Sequence, residues 1–157
     1  MNKDQLKEKI LQGVKDGDIA TLYTLENTAH ELLDEEALHG YYANILDLAL
    51  ENLTNILEAH RKIDMQDVQD FATLRALYEY AIEHYSAGDY SSASALFEVL
   101  SGITDDEKFT FALKQHHQAA EQKISLDDFL ENYADVTATQ NSGSFYINHF
   151  KKTLKEQ

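Results

Sequence analysis

An all-α fold is what this sequence predicts, and three observations lead there. Proline is absent from all 157 residues and glycine occurs six times, which disfavours long loops and turn-rich β architecture. Apolar residues recur at steps of three and four over most of the chain, the spacing that gathers side chains on one face of a helix. Residues that cap helix N-termini, among them Asp18, Asp34, Asp64, Asp89, Thr104 and Ser125, stand just ahead of these stripes.

Taken in order, the first helix is expected from Asp4 to Val14, with Leu6, Ile10, Leu11 and Val14 on one side and Gly17 as the stop. Asp18 caps a second, whose stripe is Ile19, Leu22, Leu25, Ala29, Leu32 and Leu33. Asp34-Glu35-Glu36 opens the longest helix, residues 35–62, where the acids complement the helix dipole. Asp64 opens a fourth, running through Val68, Phe71 and Leu74 into Tyr78 without a breaker. Thr104 to Glu107 reads as a capping box and Ser125 to Asp128 as a further start. Residues 137–144, TATQNSGS, read as a polar loop before a last helix with Phe145, Ile147, Phe150 and Leu154. These signals divide the chain into an N-terminal helical region (1–63), helical hairpins (64–136) and a loop with a C-terminal helix (137–157).

Along the third helix Leu38, Tyr42, Ile45, Ala49, Leu53, Ile56 and His60 alternate in steps of four and three, close to a coiled-coil seam. Two readings stand: an ordinary core stripe, or a homodimer interface built on Tyr42, Ile45, Leu53 and Ile56. The second is favoured by further apolar residues at Tyr41, Leu46, Leu48, Leu50 and Leu57, which spread around the helix.

The stretch from Leu77 to Leu100, LYEYAIEHYSAGDYSSASALFEVL, reads as two short amphipathic helices with a turn at Gly88-Asp89. Ala81 and Ala93 are small where the two backbones must approach, and Phe97 follows one turn later. This order resembles a tetratricopeptide repeat, whose period is about 34 residues, and the next break falls near Gln122-Lys123. More narrowly, Leu77, Tyr78, Ala81, Tyr85, Gly88, Tyr90, Ala93 and Phe97, followed by Phe109, Leu113 and the pair Gln118-Ala119, resemble the translocator (class II) chaperones of type III secretion systems. Those proteins carry LYxxAxxxYxxGxYxxAxxxF, then FxxxL and QA. The resemblance covers residues 74–134, with Gln122 where a turn glycine is usual. It implies a TPR-like array of about two repeats and a cytoplasmic, virulence-associated chaperone that keeps a secreted, membrane-active client soluble before export, often as a dimer.

In such repeats the first helix of each hairpin lines a peptide groove. In that register Tyr78, Ile82 and Tyr85 line it in the first unit and Phe109 and His116 continue it, with Ala81, Gly88, Tyr90, Ala93 and Phe97 as structural positions. Tyrosine suits a groove for an extended apolar segment, because its ring offers contact area while its hydroxyl stays hydrogen-bonded. The same spacing also fits plain core. A non-enzymatic helical adaptor that binds one folded partner through the N-terminal seam is the alternative.

Charge and motif narrow the classes further. A formal charge of −15 opposes binding to nucleic acid or anionic lipid. No cysteine is present, so disulfide and thiolate chemistry are out. No apolar run approaches the roughly eighteen residues of a membrane span, and no secretory leader opens the chain; a cytoplasmic protein is expected. His30-Glu31-Leu32-Leu33-Asp34 resembles half of a zinc motif without a convincing third ligand, and His116, His117 and Glu121 are better read as solvated or packed. Lys123 to Phe129 resembles the closing half of an EF-hand loop, but its ligand positions would fall on His117, Ala119 and Glu121, a poor set for calcium. No cofactor, metal or catalytic residue is expected.

Overall fold

The structure, a computed structural model, describes residues 1–155. Among them the fold is all-helical and no strand occurs. The elements are α1 (Lys3–Asp16), α2 (Ile19–Thr24), α3 (Glu26–Leu32), α4 (Glu35–Glu58), α5 (Val68–Ser86), α6 (Tyr90–Gly102), α7 (Glu107–Glu121), α8 (Leu126–Asn132) and α9 (Val136–Ser142). The chain forms two compact units, Met1–Ala76 and Leu77–Gln157. Their division falls inside α5 and not at the turn before Asp64. The first turns of α5 belong with the N-terminal region because their polar side chains are spent there. Gln69 donates to Asp18, Arg75 to Glu26, and Asp70 accepts two bonds from Arg61.

In the first unit Leu6, Ile19, Leu22, Ala29, Tyr41, Ile45, Ala49, Ile56 and Leu74 make the core. Gly13 is needed at the α1–α2 contact, where a Cβ would come within 2.8 Å of Leu22. Leu11, expected on the inner side of α1, is 70% exposed. The stripe expected as one second helix is broken at Leu25, which ends α2 and precedes α3. Asp64 is not the start of α5. Its carboxylate accepts from Gln66 in a turn, and Asp67, bonded by the amides of Gln69 and Asp70, precedes the helix.

Burial corrects two of the four residues expected at a homodimer seam, Ile45 and Ile56. Ile45 and Ile56 are buried, Tyr41 takes the inner position expected of Tyr42, and Leu53 is half-buried. Tyr42 instead sits at the rim, where its hydroxyl donates to Glu26. Ile45 and Ile56, already buried within the chain, cannot also face a second copy.

The second unit holds the expected hairpin. Ala81, Ala93 and Phe97 are fully buried, and the Tyr85 ring lies 6.1 Å from that of Phe97. Gly88 is left-handed at φ 80°; its amide bonds back to Tyr85 and that of Asp89 to His84. This is a Schellman closure. The same closure recurs at Lys123, φ 56°, whose amide and that of Ile124 reach Ala120 and Ala119. The second turn thus falls where the repeat period places it, with lysine in the role of glycine. Asp89 and Ser125 cap α6 and α8 as expected, whereas α7 is capped by Asp106 and not by Thr104.

The C-terminal portion departs most from expectation. Residues expected as a polar loop form α9, capped by Asp135 and closed by left-handed Gly143. Residues 144–155, expected as a helix, are non-helical and run as an irregular strap across the unit, touching down in an isolated bridge between Ala134 and Phe150.

Candidate functional site

Four of the five expected groove residues are core. Tyr78 (3% exposed), Tyr85, Phe109 and His116 are buried, and Ile82 is half-buried. The structure does bring Tyr78, Phe109 and His116 together. They join Phe97 and Phe129 in one aromatic cluster, with His116 centred 5.3 Å from Tyr78 and 5.1 Å from Phe129. The cluster is closed by the strap: Tyr146 stacks on Phe109 at 4.6 Å, Phe145 meets Tyr78 edge-on at 5.9 Å, and Phe150 meets His116 at 6.3 Å. Three of the residues expected to hold an extended segment, Tyr78, Phe109 and His116, therefore hold one from their own chain.

Polar groups at the centre are paired in a defined direction. His116 Nδ1 lies 2.6 Å from the carbonyl of Ala112, which can only accept, so Nδ1 carries the proton. Nε2 must then accept, and the Tyr78 hydroxyl donates to it at 2.6 Å. The Tyr78 oxygen in turn accepts the Ile147 amide at 3.1 Å. Burial pushes the His116 pKa down from 6.5 to about 4 and raises that of Tyr78 well above its usual value. Both groups stay neutral, as this relay requires. Tyr85 is raised by burial also, and its hydroxyl donates to the Ile124 carbonyl at 2.6 Å, fastening the turn between α7 and α8.

The strap has no helical bonding of its own, and its backbone is met by fixed groups elsewhere in the unit. Thr139 Oγ1 accepts from Asn148 and His149, and the Asp135 amide donates to the carbonyl of His149. The Tyr133 carbonyl accepts from Lys151 and Lys152. Gln115, buried on α7, donates its amide to the Leu154 carbonyl at 3.0 Å and accepts the Leu154 amide at 2.6 Å. None of Gln115, Thr139 or Tyr133 was legible as a site residue. The available signal was the run Phe145-Tyr146-Ile147, rich in aromatic and β-branched residues that favour extended backbone.

A second constellation joins α6 to α7. His117 Nδ1 lies 3.0 Å from both the carbonyl and the hydroxyl oxygen of buried Ser94, while that hydroxyl donates to the Glu121 carboxylate. The carbonyl fixes the proton on Nδ1, so this nitrogen cannot take one from Ser94. The arrangement staples two helices and does not activate a nucleophile. His30 bonds the Tyr42 hydroxyl at 2.8 Å. Among the described residues no group of three His, Asp or Glu side chains is placed to share a metal ion, and no helix is long and apolar enough to cross a membrane. No protein-family model, curated protein or solved structure matches the chain.

Proposed function

We propose that the chain is a non-enzymatic, cytoplasmic peptide-binding chaperone that keeps a secreted, membrane-active protein of the type III translocator class soluble before export. One observation carries the reading. Tyr78, in the α5–α6 hairpin bearing LYxxAxxxYxxGxYxxAxxxF, and Phe109 on α7 face a non-helical segment whose main chain is hydrogen-bonded, the mode by which repeat proteins take extended clients. A strongly acidic chain suits a client with basic and apolar stretches. Co-expression with the secreted translocator of the same host tests it. The client should be recovered soluble and in complex only when this chain is present; an insoluble client in both cases overturns the reading.

The adaptor alternative, expected at the seam of residues 35–62, is supported at a different surface of the first unit. Val68 (68% exposed) and Phe71 (40% exposed) border a cleft of about 260 Å³ that Ala20, Tyr23, Met65 and Ala72 also line. Exposed apolar surface beside a concavity is a feature of protein-docking sites. Val68→Asp would weaken a partner bound there and leave a client of the second unit untouched.

A further inference from the structure

We propose that the α5, α7 and α8 face of the second unit is a receptor for an extended aromatic–basic segment of a partner protein, and that residues 143–155 are its resident occupant, displaced when that partner binds. This rests on the peptide-binding reading above and names the chemistry of the ligand: two adjacent aromatics, a third four residues after the second, then lysines.

Three independent observations support it. The first is how the strap is held. Its amides and carbonyls at Ile147, Asn148, His149, Lys151, Lys152 and Leu154 are met by the Tyr78 hydroxyl, Thr139, Asp135, Tyr133 and Gln115. These groups address the main chain, so any segment with the right aromatic spacing can use them. Gln115 is the clearest case: a buried side-chain amide, both of whose polar atoms pair with the backbone donor and acceptor of one residue, Leu154.

The second is incomplete closure. Phe145, Ile147 and Phe150 are only half-buried although they cover a fully buried cluster, and Tyr146 alone is enclosed. Phe150 leans on Phe111, itself 48% exposed, at 6.0 Å. A segment lying on the surface with its backbone bonded inward can leave without breaking a helix.

Charge is the third. Residues 77–142 carry twelve Asp and Glu against three Lys, whereas residues 143–155 carry three Lys and no acid. Lys152 stands over the Tyr133 ring at 5.4 Å. The unit is acidic and its strap basic, so a displacing segment that carries positive charge is favoured over an acidic one.

The test uses the full chain and a fluorescent peptide of residues 144–155, SFYINHFKKTLK, read by anisotropy. In the wild type the tethered strap competes at an effective concentration in the millimolar range, so free peptide should bind poorly; Phe150→Ala weakens the strap and should improve peptide affinity by about tenfold or more. Binding should weaken in roughly 0.5 M salt. Equal affinity in wild type and variant, or equal binding of a scrambled peptide, overturns the proposal. Should Phe150→Ala fail to fold by circular dichroism, a protease site placed between Gly143 and Ser144 and cut in the folded protein gives the same readout: labelled peptide must then exchange in, and its failure to do so overturns the proposal. A wild-type dimer that dissociates on Phe150→Ala would assign the face to a second copy and equally overturn it. The probe is this chain's own segment, so a missing secreted client sinks the chaperone reading alone, whereas a client whose affinity ignores Phe150→Ala sinks only the displacement.

Discussion

The ring and the hydroxyl of Tyr78 contribute separately to the second unit. The ring touches Phe97, Phe109, Phe145 and Tyr146, so Tyr78→Ala should cost about 3–5 kcal/mol in denaturant melts. Tyr78→Phe keeps the ring but strands the Ile147 amide and His116 Nε2; a loss of about 2 kcal/mol is expected. Its partner titrates in a measurable window. His116 is held neutral with its pKa near 4 against 6.5 when free. Between those values the unfolded chain binds a proton that the folded one does not, so stability falls as pH falls from 6.5 to 4, by on the order of 3 kcal/mol in all. Above 6.5 the group contributes no slope. Thermal melts across that range should show the decline in the wild type, and a shallower one in His116→Gln.

Among the elements, the two helix closures at Gly88 and Lys123 invite a paired experiment. They share one hydrogen-bond pattern and one left-handed residue, yet only the first uses glycine. A side chain in that conformation costs about 1–2 kcal/mol, partly offset by the unfolded-state freedom glycine would add. Lys123→Gly should therefore stabilise the fold by about 0.5–1 kcal/mol and Gly88→Ala should destabilise it by a similar amount, both read from denaturant midpoints. The hairpin was legible in sequence because its period, small residues and glycine all agreed. Lys123 hid the second closure only in part, since the period still located it. At α9 the signals conflicted: polar TATQNS looks like loop, while Asp135 and Gly143 supply a cap and a stop. Composition concealed what the termini revealed.

Across the whole molecule it is charge that acts at long range. With 28 acidic against 13 basic residues, mutual repulsion works against compact structure, and the Arg61–Asp70 and Arg75–Glu26 pairs relieve it only locally. Raising salt from about 10 to 200 mM should raise the melting temperature by a few degrees at pH 7, opposite to a fold that depends on surface ion pairs. The all-helical class and the position of the turn at Lys123 could be read from periodicity, which reports local structure. Whether an aromatic stripe faces client or core could not, because the strap that covers Tyr78, Phe109 and His116 lies some thirty residues or more beyond them in sequence and its spacing mimics a helix. Ile45 and Ile56 likewise looked available to a second copy, because periodicity does not report which side of a helix the rest of the chain buries.

The irregular bonding of the strap also gives it a clock of its own. The amides of Ile147, Asn148, His149, Lys151 and Leu154 are shielded by side chains and non-helical carbonyls, so deuterium can enter them whenever the strap lifts, without any helix fraying. Their exchange should be faster than that of α6 and α7 by orders of magnitude, uniform among the five, and equally accelerated by Phe150→Ala. Five amides that label together would time a single lifting motion; five that label at unrelated rates would show that the strap peels residue by residue.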